Sequence, residues 1–248
     1  MLFGSLAVPA LLAAPANFFG AVWAFIQNPA NNYGGQFWTT ILLSVYPIVI
    51  SFVIALPLGV ATARQPIAAF LSANLSGLAR AIPSLVFLAV MVPVFGIGFT
   101  PSVIALTLLG IPPILLNTIA GLRGIDPAAI DAAKGMGMTR LQILQRVEMP
   151  LALPIIAAGV RIAAIQIVAT TPIAALIGSG GLGQLILAGV NILDYAQATA
   201  GALGIVALAL LTEGLFAWLQ RALTPAGVRA TESATEPART SASEKVAA

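Results

Sequence analysis

No histidine and no cysteine occur among the 248 residues, and only 8% of the chain is charged. The missing histidine excludes Ser-His and Cys-His nucleophile pairs, the H-E-x-x-H zinc site and an imidazole proton relay. The missing cysteine excludes a disulfide framework, thiolate chemistry and iron–sulfur ligation. There is also no G-x-x-x-x-G-K-[ST], so the chain carries no phosphate cradle of its own for ATP. No metal site and no cofactor are expected. A soluble surface needs about 25–35% Lys, Arg, Glu and Asp, which 11 basic and 8 acidic side chains cannot supply. With 59% hydrophobic residues, the sequence reads as an all-α polytopic membrane protein.

The first charge is Arg64. A span needs about 20 apolar residues, and Phe37 to about Ala61 supplies one. A weaker apolar segment, Leu2 to Ile26, is broken by Pro9 and Pro15 and lacks the basic start of a secretory leader. Residues 1–35 are therefore read either as interfacial or as a sixth span. Arg80 and Arg123 bracket an uncharged stretch long enough for two helices, divided at Gly96-Ile97-Gly98-Phe99-Thr100-Pro101. Further spans are expected at about Leu151 to Thr170 and Ala196 to Leu219, separated by a Gly-rich stretch. The core count is five.

The few charges orient these spans. Arg64, Arg80, Arg123, Lys134, Arg140, Arg146, Arg221 and Arg229 fall on one side under the positive-inside rule, while the opposite loops hold only Asp194. The C-terminus is then cytoplasmic, and the net charge of +3 reports orientation rather than a nucleic-acid partner. Residues 36–223 form the membrane domain. Residues 224–248, small and polar without aromatics, read as a disordered cytoplasmic tail.

Residues 123–150 are more structured than a connector. Asp126 before Pro127 is an N-cap with proline at the first helical position. The helix should run to about Met136 and stop at Gly137. Thr139 and Gln142 form a capping box that starts a second short helix, with Leu141, Leu144 and Val147 on its apolar face. Such a pair suits a docking element; the alternative is an amphipathic pair lying on lipid.

Asp131-Ala132-Ala133-x3-Gly137-x9-Val147-x-Met149-Pro150 resembles the EAA loop of ABC importer permeases, E-A-A-x3-G-x9-I-x-L-P. The resemblance implies that Asp131, Ala132, Ala133, Gly137 and Met138 couple the spans to cytoplasmic ATPase subunits. It also implies a periplasmic or extracellular substrate-binding protein, a second permease copy or similar permease, and residence in a bacterial inner membrane. Leu56-Pro57-Leu58-Gly59, Arg80-Ala81-Ile82-Pro83-Ser84-Leu85, Leu151-Ala152-Leu153-Pro154 and Ala174 through Gly183 extend the likeness to permeases for glycine betaine, choline and related osmoprotectants. It covers residues 36–229 and departs at Phe37-Trp38-Thr39-Thr40, where such permeases often carry a His-containing stretch. A permease for another small solute, such as an amino acid, is the alternative.

Two further features bear on function. Gly178-Ser179-Gly180-Gly181-Leu182-Gly183 fits G-x-G-x-x-G, a fingerprint that binds dinucleotides only with a strand before it, a helix after it and an acid about 20 residues on, whereas here it falls on the outer side of a membrane chain. Irregular backbone at membrane depth must be packed in protein or line a water path, so this segment is either a gate near the outer face or a close-packing element. Arg161 and Glu213 are the charges inside expected spans, at similar depths of roughly 16 and 12 Å from the basic side. A salt bridge between the fourth and fifth spans is one reading, as a functional or a purely structural pair; a snorkelling Arg161 is the other. A secondary transporter would carry more intramembrane carboxylates and repeated halves. An intramembrane protease using Ser179 would need an activating base that is missing.

Overall fold

The computed structural model describes residues 17–223. The readings of residues 1–16 and of the tail 224–248, Arg229 included, lie outside the described residues. Among the described residues there is no strand. The elements are α1 (Phe18–Gln27), a 3-10 turn (Pro29–Asn31), α2 (Tyr33–Ala63), α3 (Pro66–Ala81), α4 (Ser84–Phe95), α5 (Phe99–Arg123) and α6 (Pro127–Gly135). They continue as α7 (Arg140–Ile143), a π-turn (Leu144–Glu148), α8 (Met149–Ala174), a second 3-10 turn (Ala175–Ile177), α9 (Leu182–Asn191) and α10 (Tyr195–Leu223).

Among the described residues four helical stretches are long and apolar enough to cross a bilayer: Pro29–Ala63, Phe99–Arg123, Arg140–Ile177 and Tyr195–Ala222. The span expected between Arg80 and Gly96 takes a different form. Proline disfavours helix in the residue before it and contributes no N–H; Pro83 accordingly separates α3 from the 12-residue α4. At 1.5 Å per residue α4 reaches only about 18 Å, short of a hydrocarbon core of about 30 Å.

Two compact units emerge: residues up to Val49 with Ile82–Leu108 and Gln166–Leu211, and Ile50–Ala81 with Leu109–Ile165 and the residues from Thr212 onward. In the first unit, Leu182, Leu185 and Ile205 make the buried core, with Phe25, Tyr33, Phe37 and Ile186 packed around it. In the second, one cluster gathers Ala55, Ala69, Ile114, Leu115, Ile119 and Ala163, and another gathers Ile125, Ala152 and Ile156. Small residues set the helix spacing there, as in membrane bundles generally. A Cβ on Gly159 would stand 2.9 Å from the Pro113 carbonyl oxygen. Buried hydroxyls are satisfied within their own helices: Thr40 donates to Gln36 O, Ser44 to Thr40 O, Thr118 to Ile114 O and Thr171 to Ile167 O, all at 2.8–2.9 Å.

The expected pair of short helices in residues 123–150 is half right. The first, α6, stands apart. The second runs through a π-turn into α8, so that Arg140–Ile177 is one helical stretch. The cause lies in Pro150, whose ring would crowd the carbonyl of Arg146 in a regular α-helix. One loosened turn precedes it, with Met149 N–H bonded to Leu144 O five residues back. That turn also changes the buried face. Ile143 and Glu148, five apart, point inward, whereas Leu141 is 62% exposed.

Candidate functional site

The loop is built from local capping. Asp126 accepts from Ala128 N at 2.9 Å, and Pro127 occupies the first helical position. At the other end, Gly137 adopts φ +78°. Its N–H bonds to Lys134 O at 2.9 Å and that of Met138 to Ala133 O at 3.2 Å, the two bonds of a Schellman stop. Thr139 and Gln142 form the expected reciprocal box, at 2.8 and 3.4 Å. Between these caps α6 is sharply two-faced. Ala133 is buried at 1%, with Ala129 and Ile130 partly buried beside it. Ala128, Asp131, Ala132, Gly135 and Met136 are exposed. Asp131 pairs with Lys134 at 2.8 Å on this open face, an exposed contact worth a few tenths of a kcal/mol. The outward surface is thus a flat patch of small side chains with Met136 protruding, suited to close approach by another protein.

The glycine segment is held from α2. Gly181 N–H donates to Gln36 Oε1 and Leu182 N–H to Thr40 Oγ1, both at 2.8 Å. These bonds satisfy donors at the start of α9, where no side chain of its own caps the helix. On the other side Gly98 N–H donates to Ile177 O at 2.7 Å. Positive φ angles at Gly178, Gly180 and Gly181 carry the chain through the turn. Space divides the glycines. A Cβ on Gly181 would lie 2.8 Å from Thr40 Oγ1, and one on Gly183 2.7 Å from the Pro172 backbone. At Gly178 and Gly180 the nearest atoms are 4.0 and 3.6 Å away. Ser179 is buried and donates to Gly180 O at 3.2 Å.

Arg161 and Glu213 meet as an ion pair between α8 and α10, with Gln220 Oε1 accepting from Arg161 Nη1 at 3.4 Å. Both charged side chains remain about one-third exposed, at 33% and 37%.

Residues 55–226 match the family described as binding-protein-dependent transport system inner membrane component. The chain belongs to this family. It is the permease of an ABC importer, a multi-pass membrane subunit. The permease is 34% identical over 209 residues to the carnitine transport permease protein OpuCB of Listeria monocytogenes, covering 84% of this chain and 96% of the relative. It is 33% identical over 205 residues to the choline transport system permease protein OpuBB of Bacillus subtilis, covering 83% and 94%. It is 39% identical over 185 residues to the osmoprotectant import permease protein OsmW of Salmonella typhimurium, covering 73% and 86%. Among solved structures it is similar to an inward-facing methionine ABC transporter, MetNI, with 28% identity and a TM-score of 0.69, covering 78% of this chain and 96% of that one.

Contacts that the sequence did not reveal complete the permease's loop. Glu148, 7% exposed, receives Arg64 Nη2 at 2.6 Å. Arg123 Nε donates to Ala63 O at 2.8 Å, at the carbonyl end of α2, where a cation suits the helix dipole. The capping roles of Gln36 and Thr40 were equally hidden, because the helix they cap lies more than 140 positions away in sequence.

Proposed function

We propose that this permease imports a small zwitterionic or cationic osmoprotectant of the glycine betaine, choline or carnitine class. Two cytoplasmic ATPase subunits drive it, a substrate-binding protein outside the membrane supplies it, and a second copy or a similar permease completes the path. The observation that carries the coupling role is the capped helix α6, which turns Asp131 and Ala132 outward and buries Ala133, with Gly137 and Met138 in the turn that follows it. ATP hydrolysis then resides in the partner, and the basic ends of the helices face the cytoplasm with the C-terminus. The solute class is supported by the relatives named for carnitine, choline and osmoprotectants. The likeness to a methionine transporter keeps an amino acid as the second reading. The Gly178–Gly183 segment serves as the outer constriction, with room around Gly178 and Gly180 and Ser179 buried between them.

Uptake of labelled glycine betaine, choline, carnitine and proline at high osmolarity, by cells with and without the chain, tests the solute. Selective uptake of the quaternary amines is expected. Equal uptake of all four would remove the osmoprotectant assignment. Co-purification of an ATPase, abolished by Ala132→Arg at wild-type membrane abundance, tests the docking face.

A further inference from the structure

A buried carboxylate is costly unless it is paired, and replacing a buried ion pair by apolar side chains often leaves stability unchanged or improved. Glu148 is therefore a poor choice if the π-turn only had to pack. Its side chain is 10% exposed and receives Arg64 at 2.6 Å; Arg64, half-exposed, is the first residue beyond α2. One residue earlier, Ala63 O takes the Arg123 guanidinium at 2.8 Å, and Arg123 ends α5. Two bonds from charged donors thus gather the end of α2, the end of α5 and the π-turn at one point. The π-turn and α7 in turn pack against α6.

We infer that Arg64 and Glu148 are positioning residues forming a clamp through which displacement of α6 is passed to α2. The inference rests on α6 being the ATPase-docking element. The π-turn suits the role, because its looser turn would otherwise absorb a push on α6 locally. With Glu148 fastened to Arg64, the same push moves the end of α2. A charged, directional contact does this where an apolar one would slide.

The test uses the complete importer, with ATPase and binding protein, in sealed vesicles, measuring solute imported and ATP hydrolysed in the same sample. Glu148→Gln and Arg64→Gln should retain the ATPase on purification and hydrolyse ATP at near wild-type rates. Solute moved per ATP should fall about tenfold, within the range of ordinary coupling energies. Arg64→Lys should keep most coupling, and exchanging the two charges, Arg64→Glu with Glu148→Arg, should recover import to within about threefold. Unchanged solute per ATP in both neutral variants overturns the clamp. So does a parallel loss of ATPase retention and ATP turnover, which would mark a merely structural pair. Should Glu148→Gln fail to accumulate, Arg64→Gln decides alone, since its side chain is half-exposed. Absence of any ATPase on the wild-type chain would instead overturn the docking assignment itself.

Discussion

Arg161 grips Glu213 side-on. Its Nε donates to one carboxylate oxygen at 3.1 Å and its Nη2 to the other. This fork geometry is specific to arginine, and it joins two apolar helices at a depth where an isolated charge costs about 2.5–3.5 kcal/mol on insertion scales. The cost is smaller here because the two charges are paired with one another.

Arg161→Glu or Glu213→Arg alone should lower both the yield of monodisperse protein and solute uptake. The exchange of both residues should recover part of each. Size-exclusion profiles and uptake assays on the three variants check this. An exchange variant no better than the singles would show that the pairing is not what matters.

Ala132 and Ala133 are adjacent but should respond oppositely to the same change. Ala133→Leu overfills a site that is 1% exposed and should destabilise the permease by about 1–3 kcal/mol. Ala132→Leu sits on the open face and should leave stability within about 0.5 kcal/mol, yet reduce ATPase retention. Thermal unfolding in detergent and co-purification separate the two effects.

Thr40 is fully buried and accepts the Leu182 N–H. Thr40→Val should strand that donor at a cost of about 1–3 kcal/mol, whereas Thr40→Ser keeps the acceptor. The readout is the unfolding midpoint of the pair of variants, compared with wild type.

Among the glycines, Gly180→Asn places a residue that tolerates φ > 0 where there is room. It should alter uptake at normal abundance. Gly183→Val drives a branched side chain into the Pro172 backbone and should lower abundance itself. Substituting Gly181 is a poorer test of gating, because its Cβ would meet Thr40 first. Quantitative membrane immunoblotting alongside uptake distinguishes these outcomes.

What could be read beforehand follows the range of the forces involved. The caps at Asp126, Gly137 and Thr139 were legible because each is a bond between residues two to five apart. The Arg161–Glu213 pair was legible because helical rise converts sequence distance into depth. Three things were not. The π-turn depends on how Pro150 is accommodated, and it turned Ile143 and Glu148 inward in place of Leu141. The Arg64–Glu148 contact joins residues 84 positions apart. The segment between Arg80 and Gly96 was apolar enough to be read as part of a span, but Pro83 interrupts it and leaves only the short α4.

The π-turn at Leu144–Glu148 also carries an arithmetic consequence. Such a turn is an α-helix holding one surplus residue, and one residue amounts to about 100° of helical rotation. Deleting a single residue there would restore a regular ladder and leave every position from Met149 onward facing as before. Pro150 would then stand against an intact turn, and no carboxylate would remain opposite Arg64 if Glu148 were the one removed. Length at this point therefore decides whether Pro150 meets a turn loose enough to accept it and whether a carboxylate stands opposite Arg64.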